Sequence, residues 1–245
     1  WQANSGNVPS REGYEQARHA AEAVLRKDPA RAWAHAILGA VYSDYDRNWA
    51  GAEKEFKKAL DLSPHDGGIL LLTAQLPVAL GQLDVARRIY QQSLAYDPLS
   101  ATTFFFLSWV ELRARKWDEA ETAARKAIDI APAMVWGHAQ LSFALLMRGN
   151  REAALAEASR DTDPMIRQQA LAIAYHALGR KTESDLALRS LIADGADREA
   201  FQIASVYGYR GERDETLKWL DRAYEQRDPN LFFVKSNPFL RNLES

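Results

Sequence analysis

The chain has 245 residues, with 31 Lys and Arg against 33 Asp and Glu, a net charge of −2, and no cysteine. That length can bury enough apolar surface to fold without a covalent or metal staple. The lack of cysteine excludes disulfide frameworks, cysteine-ligated zinc, iron–sulfur clusters and thiol catalysis, and the balanced charge argues against a counterion-releasing nucleic-acid binder.

The opening segment WQANSGNVPS starts at Trp1 and lacks the charged-then-apolar pattern of a signal sequence, so the chain reads as an excised piece or a processed product. Small residues then recur at Ala17, Ala52, Ala86, Ala120 and Ala154, every 34 or 35 residues. Prolines close successive stretches at Pro29, Pro64, Pro98, Pro132 and Pro164, and a turn slot holds Gly81, Arg115, Gly149, Gly179 and Gly211. Several independent slots with one period define a repeat. The units run approximately over residues 1–29 (partial), 30–64, 65–98, 99–132, 133–164, 165–196 and 197–229, as a single array over 1–245, and residues 230–245 are expected to cap the last unit. The uncharged stretch Gly67–Leu83 contains Thr73, Gln75 and Pro77, and it reads as a buried helix and turn rather than a membrane span. Pro77 is expected to kink or shorten its helix.

The best-formed unit, Leu99–Pro132, predicts helix, short turn, helix and a terminating proline. Phe104, Leu107 and Ser108 share one face of its first helix, with Phe104 and Leu107 expected in the core. Trp117, Ala120, Ala124 and Ala127 share one face of its second. A matching small slot on the first helices holds Gly39, Ala74, Ser108, Ser142, Ala172 and Ala204, so that two antiparallel helices can approach closely. The last two units are degenerate, with Ser184 and Thr216 in place of the second-helix Ala.

Leu38-Gly39 and Tyr42, followed by Ala52, Phe56, Ala59 and Pro64, resemble the tetratricopeptide repeat family, with one residue inserted in the turn Ser43–Asn48. The resemblance implies an all-α fold, a right-handed superhelical solenoid of about seven helix-turn-helix units, each burying its apolar face only against its neighbours.

Catalytic chemistry is sparse. His19, His35, His65, His138 and His176 never pair at metal-binding spacing, and no nucleophile elbow occurs. Gly179-Arg180-Lys181-Thr182 imitates part of a phosphate loop but falls between two helices without the upstream glycine. Acidic pairs such as Asp118-Glu119 begin second helices, where they complement the helix dipole. No catalytic residue, metal or cofactor is expected.

In the repeat architecture the first helix of each unit lines a concave groove. The candidate partner-binding residues there are Trp33, Leu71, Gln75, Phe105, Trp109, Leu112, Trp136, Phe143, Met147, Gln169, Ile173, His176, Phe201 and Tyr209. Phe105, Trp109 and Leu112 form an aromatic stripe that reads equally as groove or as core. An apolar groove suits a protein or peptide partner. The slots that grip a peptide carboxylate in some relatives hold Ala36, Leu71, Phe105, Ala139 and Gln169, so that clamp is not expected. Net charge −2 and an apolar groove also disfavour RNA reading.

Two stretches, Ala40–Asp66 and Leu217–Leu243, resemble the C-terminal repeat region of bacterial signalling proteins. In those proteins the array is joined to an adenylate cyclase, a winged-helix DNA-binding domain or a kinase, often through one transmembrane helix. A Cys-free chain suits cytoplasm or periplasm alike, so the compartment stays open, and this segment itself is not expected to contact membrane or nucleic acid. The resemblance implies a non-enzymatic sensory or partner-binding module whose output domain lies elsewhere. The alternative it leaves open is a self-associating regulatory module, a homo-oligomer controlling an attached output domain. Those relatives commonly continue past a further Asp-Pro-Arg-Phe-like segment, beyond where this chain stops.

Overall fold

The computed structural model describes residues 10–226, 228–240 and 243, and among them every regular element is helical. Residues 1–9, the start of the expected partial unit, lie outside the described residues. The chain packs as two compact units that divide between Leu99 and Ser100.

The first unit holds α1 (Ser10–Lys27), α2 (Ala32–Asp44), α3 (Trp49–Leu62), α4 (Gly67–Thr73), α5 (Gln75–Ala79) and α6 (Leu83–Tyr96). The Asn48 side chain caps α3 by accepting from Gly51 N, and Asp66 caps α4 by accepting from Gly68 N and Ile69 N. Gly39 permits the closest approach of α2 to α3, since a Cβ there would sit 2.7 Å from the Phe56 ring. His35 Nδ1 lies 2.6 Å from Glu55 Oε2, and Nε2 lies 2.9 Å from the Pro29 carbonyl oxygen. Burial alone would raise the Glu55 pKa, but hydrogen bonds from His35 and Lys58 outweigh it and hold this carboxyl below its usual range. The expected proline defect appears as a break at Ala74 between α4 and α5. Pro77 has no N–H to give the Thr73 carbonyl, and it sits in the first turn of α5, where that loss is tolerated.

The second unit holds α7 (Ala101–Arg113), α8 (Trp117–Ile130), α9 (Gly137–Met147), α10 (Arg151–Ala158), α11 (Pro164–Ala177), α12 (Lys181–Gly195), α13 (Ala200–Arg210) and α14 (Arg213–Glu225), followed by a 3₁₀ segment, Pro229–Ser236. Each odd-numbered helix pairs with the even one after it, and α7, α9, α11 and α13 also pack side by side as one layer. Small residues make the pairs close. Ala120, Ala124 and Ala127 are buried on α8, and Ser108 Oγ donates to the Ala120 carbonyl at 2.8 Å. Ser184, which departs from the repeat pattern, uses its hydroxyl in the same way, donating to the Ala172 carbonyl at 2.7 Å. The core stripe of α7 differs from expectation: Thr103, Val110 and Glu111 are buried, whereas Phe104 and Leu107 are only partly so.

The turn slots share one backbone conformation. Gly81, Gly149, Gly179 and Gly211 have φ of 73°, 85°, 73° and 79°, and Arg115 adopts 63° in the same place. A Cβ at that φ is strained, whereas glycine enters it freely at the cost of a looser unfolded chain. Replacing Arg115 with Gly is expected to stabilise the second unit by about 0.5–1 kcal/mol, read as a rise in Tm with unchanged helicity.

A second expectation concerns pH. Burial, then the charges of Asp228 and Asp163, raise the Glu199 pKa to about 7 from the usual 4.5. Because the folded value lies above the unfolded one, the folded chain keeps a proton that the unfolded chain releases. The contribution of Glu199 to stability is therefore full below about pH 4.5 and is lost as pH rises through 7. Between pH 5 and 8 the loss should be about 1–2 kcal/mol after solvent screening. Thermal melts of Glu199→Gln should show that slope flattened, with a higher Tm at pH 8.

Candidate functional site

The side chains expected in the groove separate into different environments. Trp33, Leu71 and Gln75 belong to the first unit and the remaining eleven to the second. Trp33 is 45% exposed, yet its Nε1 donates to Asp66 Oδ2 at 2.9 Å, and its ring covers Gly68, where a Cβ would meet it at 2.6 Å. Its ring thus clamps the start of α4. Leu71 and Gln75 are partly exposed beside the helix break.

In the second unit, Leu112, Phe143, Gln169, Ile173 and Phe201 are buried, so these five fill the interior rather than present a free surface. The reason is the layer of odd-numbered helices. A side chain pointing from one of these helices toward the next meets a neighbour, and in a stack each unit hides what its neighbour covers. Met147 and Tyr209 are partly buried against the same core. His176 lies 6.0 Å from the Tyr209 ring, and burial, reinforced by the Arg210 charge, lowers its pKa.

Phe105, Trp109 and Trp136 come together at the start of the unit. Trp109 stands edge-on to Phe105 at 6.4 Å and to Trp136 at 6.2 Å, and Phe105 meets Phe106 at 5.3 Å. All four remain partly exposed. Trp136 immediately precedes α9 with φ 71°, a left-handed conformation that a bulky side chain rarely adopts. Such strain persists only where the surroundings hold it, and the Trp109 ring is the contact that can do so.

The segment after α14, expected to cap the last unit, packs on α13 of that unit and also reaches α7 and α9. Asp228 sets the turn by accepting from Asn230 N at 2.8 Å and Phe201 N at 3.2 Å. Phe233 then stacks under the Arg113 guanidinium at 3.7 Å, and Phe239 packs edge-on against Phe143 at 5.0 Å and Tyr209 at 5.6 Å. Phe239 and Leu240 are buried in the same core as α9, α11 and α13. Arg113, Phe233, Phe239 and Leu240 join this face without being singled out by helical spacing. The apolar run Leu231–Leu240 was the visible signal, but its destination is set by the turn at Asp228.

Two buried His–Glu contacts, His35–Glu55 at 2.6 Å and His138–Glu157 at 2.7 Å, are the same helix-pair fastening used once in each unit. Among the described residues no group of three or more His, Asp or Glu is placed to hold a metal ion, and no helix is long and apolar enough to cross a membrane. A surface depression of about 550 Å³ is lined by Leu155, Ser159, Tyr175 and Arg180, but Arg180 is committed to Glu183 at 2.7 Å and to the Tyr175 ring.

The division between buried and open aromatics has a measurable consequence. Phe143→Ala should cost about 3–5 kcal/mol, whereas Phe105→Ala should cost under about 1 kcal/mol. Denaturant titration of the two variants distinguishes them, and equal losses would place Phe105 in the core.

Residues 71–135 match the tetratricopeptide repeat family model. No curated protein matches the chain in sequence. Among solved structures, a tetratricopeptide repeat protein from Parabacteroides merdae is similar over 100% of this chain and 97% of its own, at 16% identity and a TM-score of 0.64. PilW, a type IV pilus biogenesis factor, is similar over 80% of this chain and 92% of its own, at 17% identity and a TM-score of 0.66. A thermophilic protein of the same repeat class from Thermus thermophilus is similar over 79% and 99%, at 19% identity and a TM-score of 0.59. The chain thus has the fold of tetratricopeptide repeat proteins, and its central segment carries their sequence pattern.

Proposed function

We propose that the protein is a non-enzymatic scaffold that binds a segment of another protein through the face formed by the first helices of its second unit. The observation that carries this reading is the partly exposed aromatic cluster of Phe105, Phe106, Trp109 and Trp136. Aromatic side chains on a rigid helical layer offer large contact area at little entropic cost, and they dominate the energetics of protein interfaces. Arg113, 5.2 Å from the Trp109 ring, adds a cation to the same edge.

The fold shared with repeat proteins supports the same class of role, since stacked helix pairs create extended binding surfaces. The stretches Ala40–Asp66 and Leu217–Leu243 support a finer placement, as the partner-binding part of a bacterial signalling protein whose output domain is a separate module.

A display selection of peptides on the full chain tests the reading. Selected peptides should bind Trp109→Ala at least about tenfold more weakly, a loss of about 1.4 kcal/mol, while the helicity of that variant stays that of the parent. Peptides that bind the variant equally well would move the site elsewhere.

A further inference from the structure

Residues 229–240 occupy the face to which binding has just been assigned, and they do so in the manner of a bound peptide. Among the described residues, several hydrogen bonds that shape the segment lie within it and its hinge. Asn230 N donates to Asp228 Oδ1 at 2.8 Å, Phe239 N to Asn237 Oδ1 at 2.9 Å, and Leu240 N to the Asn237 carbonyl at 3.2 Å. The Asn237 side chain thus builds its own turn, as asparagine does ahead of proline. The preceding 3₁₀ stretch is a short element with poorer hydrogen-bond geometry than an α-helix. The segment meets the helices through side-chain anchors: the Asn237 carboxamide donates to Ser205 Oγ at 3.0 Å, Phe239 enters the socket of Phe143 and Tyr209, and Leu240 lies on Gly208. A Cβ on Gly208 would stand 2.7 Å from both Leu240 Cδ2 and the Phe239 carbonyl oxygen, so a glycine in mid-helix is what lets the segment seat.

We propose that this face is a peptide site and that residues 229–240 are its resident, exchangeable ligand. The partner admitted in exchange carries the same chemistry: an Asn-Pro turn followed directly by Phe and Leu. The inference deepens the binding role proposed above and rests on it. Tethering keeps the resident segment at an effective concentration on the order of millimolar, so it suppresses an external peptide without excluding it.

The test uses the full chain and a fluorescein-labelled peptide of residues 229–243. Phe239→Ala/Leu240→Ala should empty the socket, keep the helicity of the parent, and bind the peptide at least tenfold more tightly than the parent does. Adding Gly208→Ala to that variant should return binding to the parent level, because the new Cβ fills the seat. The proposal is overturned if the double variant stays helical but binds no more tightly than the parent. Binding that survives Gly208→Ala also overturns it, and so does loss of helicity in the double variant, which would make the segment part of the core. If selected peptides still depend on Trp109 while the 229–243 peptide fails, the binding role stands and only the resident ligand is lost.

Discussion

Ser108 donates its hydroxyl to the carbonyl of Ala120, and Ser184 donates to that of Ala172, each across the seam between two antiparallel helices. A side-chain hydroxyl reaches a backbone carbonyl on the facing helix only if nothing larger than a methyl or hydroxymethyl group separates the two. The rest of each unit depends on that distance. Ala120, Ala124, Ala154 and Ala158 disappear from solvent because the seams are tight, and Gly39 makes the same accommodation for the Phe56 ring in the first unit. Side chains too large for the seams are displaced to the faces of the layers, which is how Phe105, Trp109 and Trp136 come to lie together.

The ends of the helices impose a second constraint. Amide groups in a first turn have no partner in their own helix, and at α9 and α13 one of them is met from beyond the far end of the following helix. Asp161 accepts from Ala139 N at 3.0 Å, and Asp228 accepts from Phe201 N at 3.2 Å. These carboxylates close the α9–α10 and α13–α14 pairs. Glu199, buried and near the charges of Asp228 and Asp163, keeps its proton to unusually high pH. At Asp228 the same side chain both closes the last pair and redirects the chain over the helical face. Capping and occupation of the face therefore share one residue.

Much of the fold was legible because it is periodic. The turn slot picked out Gly81, Arg115, Gly149, Gly179 and Gly211, and all five adopt positive φ. Pro77 marked a defect that the structure shows as the break at Ala74. The face was less legible. Helical spacing identifies which residues share a stripe, but it says nothing of what the stripe meets. Phe143 and Ile173 share the spacing of Trp109, yet they are enclosed by neighbouring helices and, for Phe143, by Phe239 from nearly a hundred residues away.

The sequence by itself therefore determined the helix pairs, their turns and their small-residue seams, since each depends on residues within one repeat and on stereochemistry that a single side chain expresses. The tertiary structure alone decided which aromatics are buried, that the chain packs as two compact units, and that Leu231–Leu240 lies along α7, α9 and α13. These outcomes depend on side chains brought together from distant repeats, and local periodicity carries no record of such contacts.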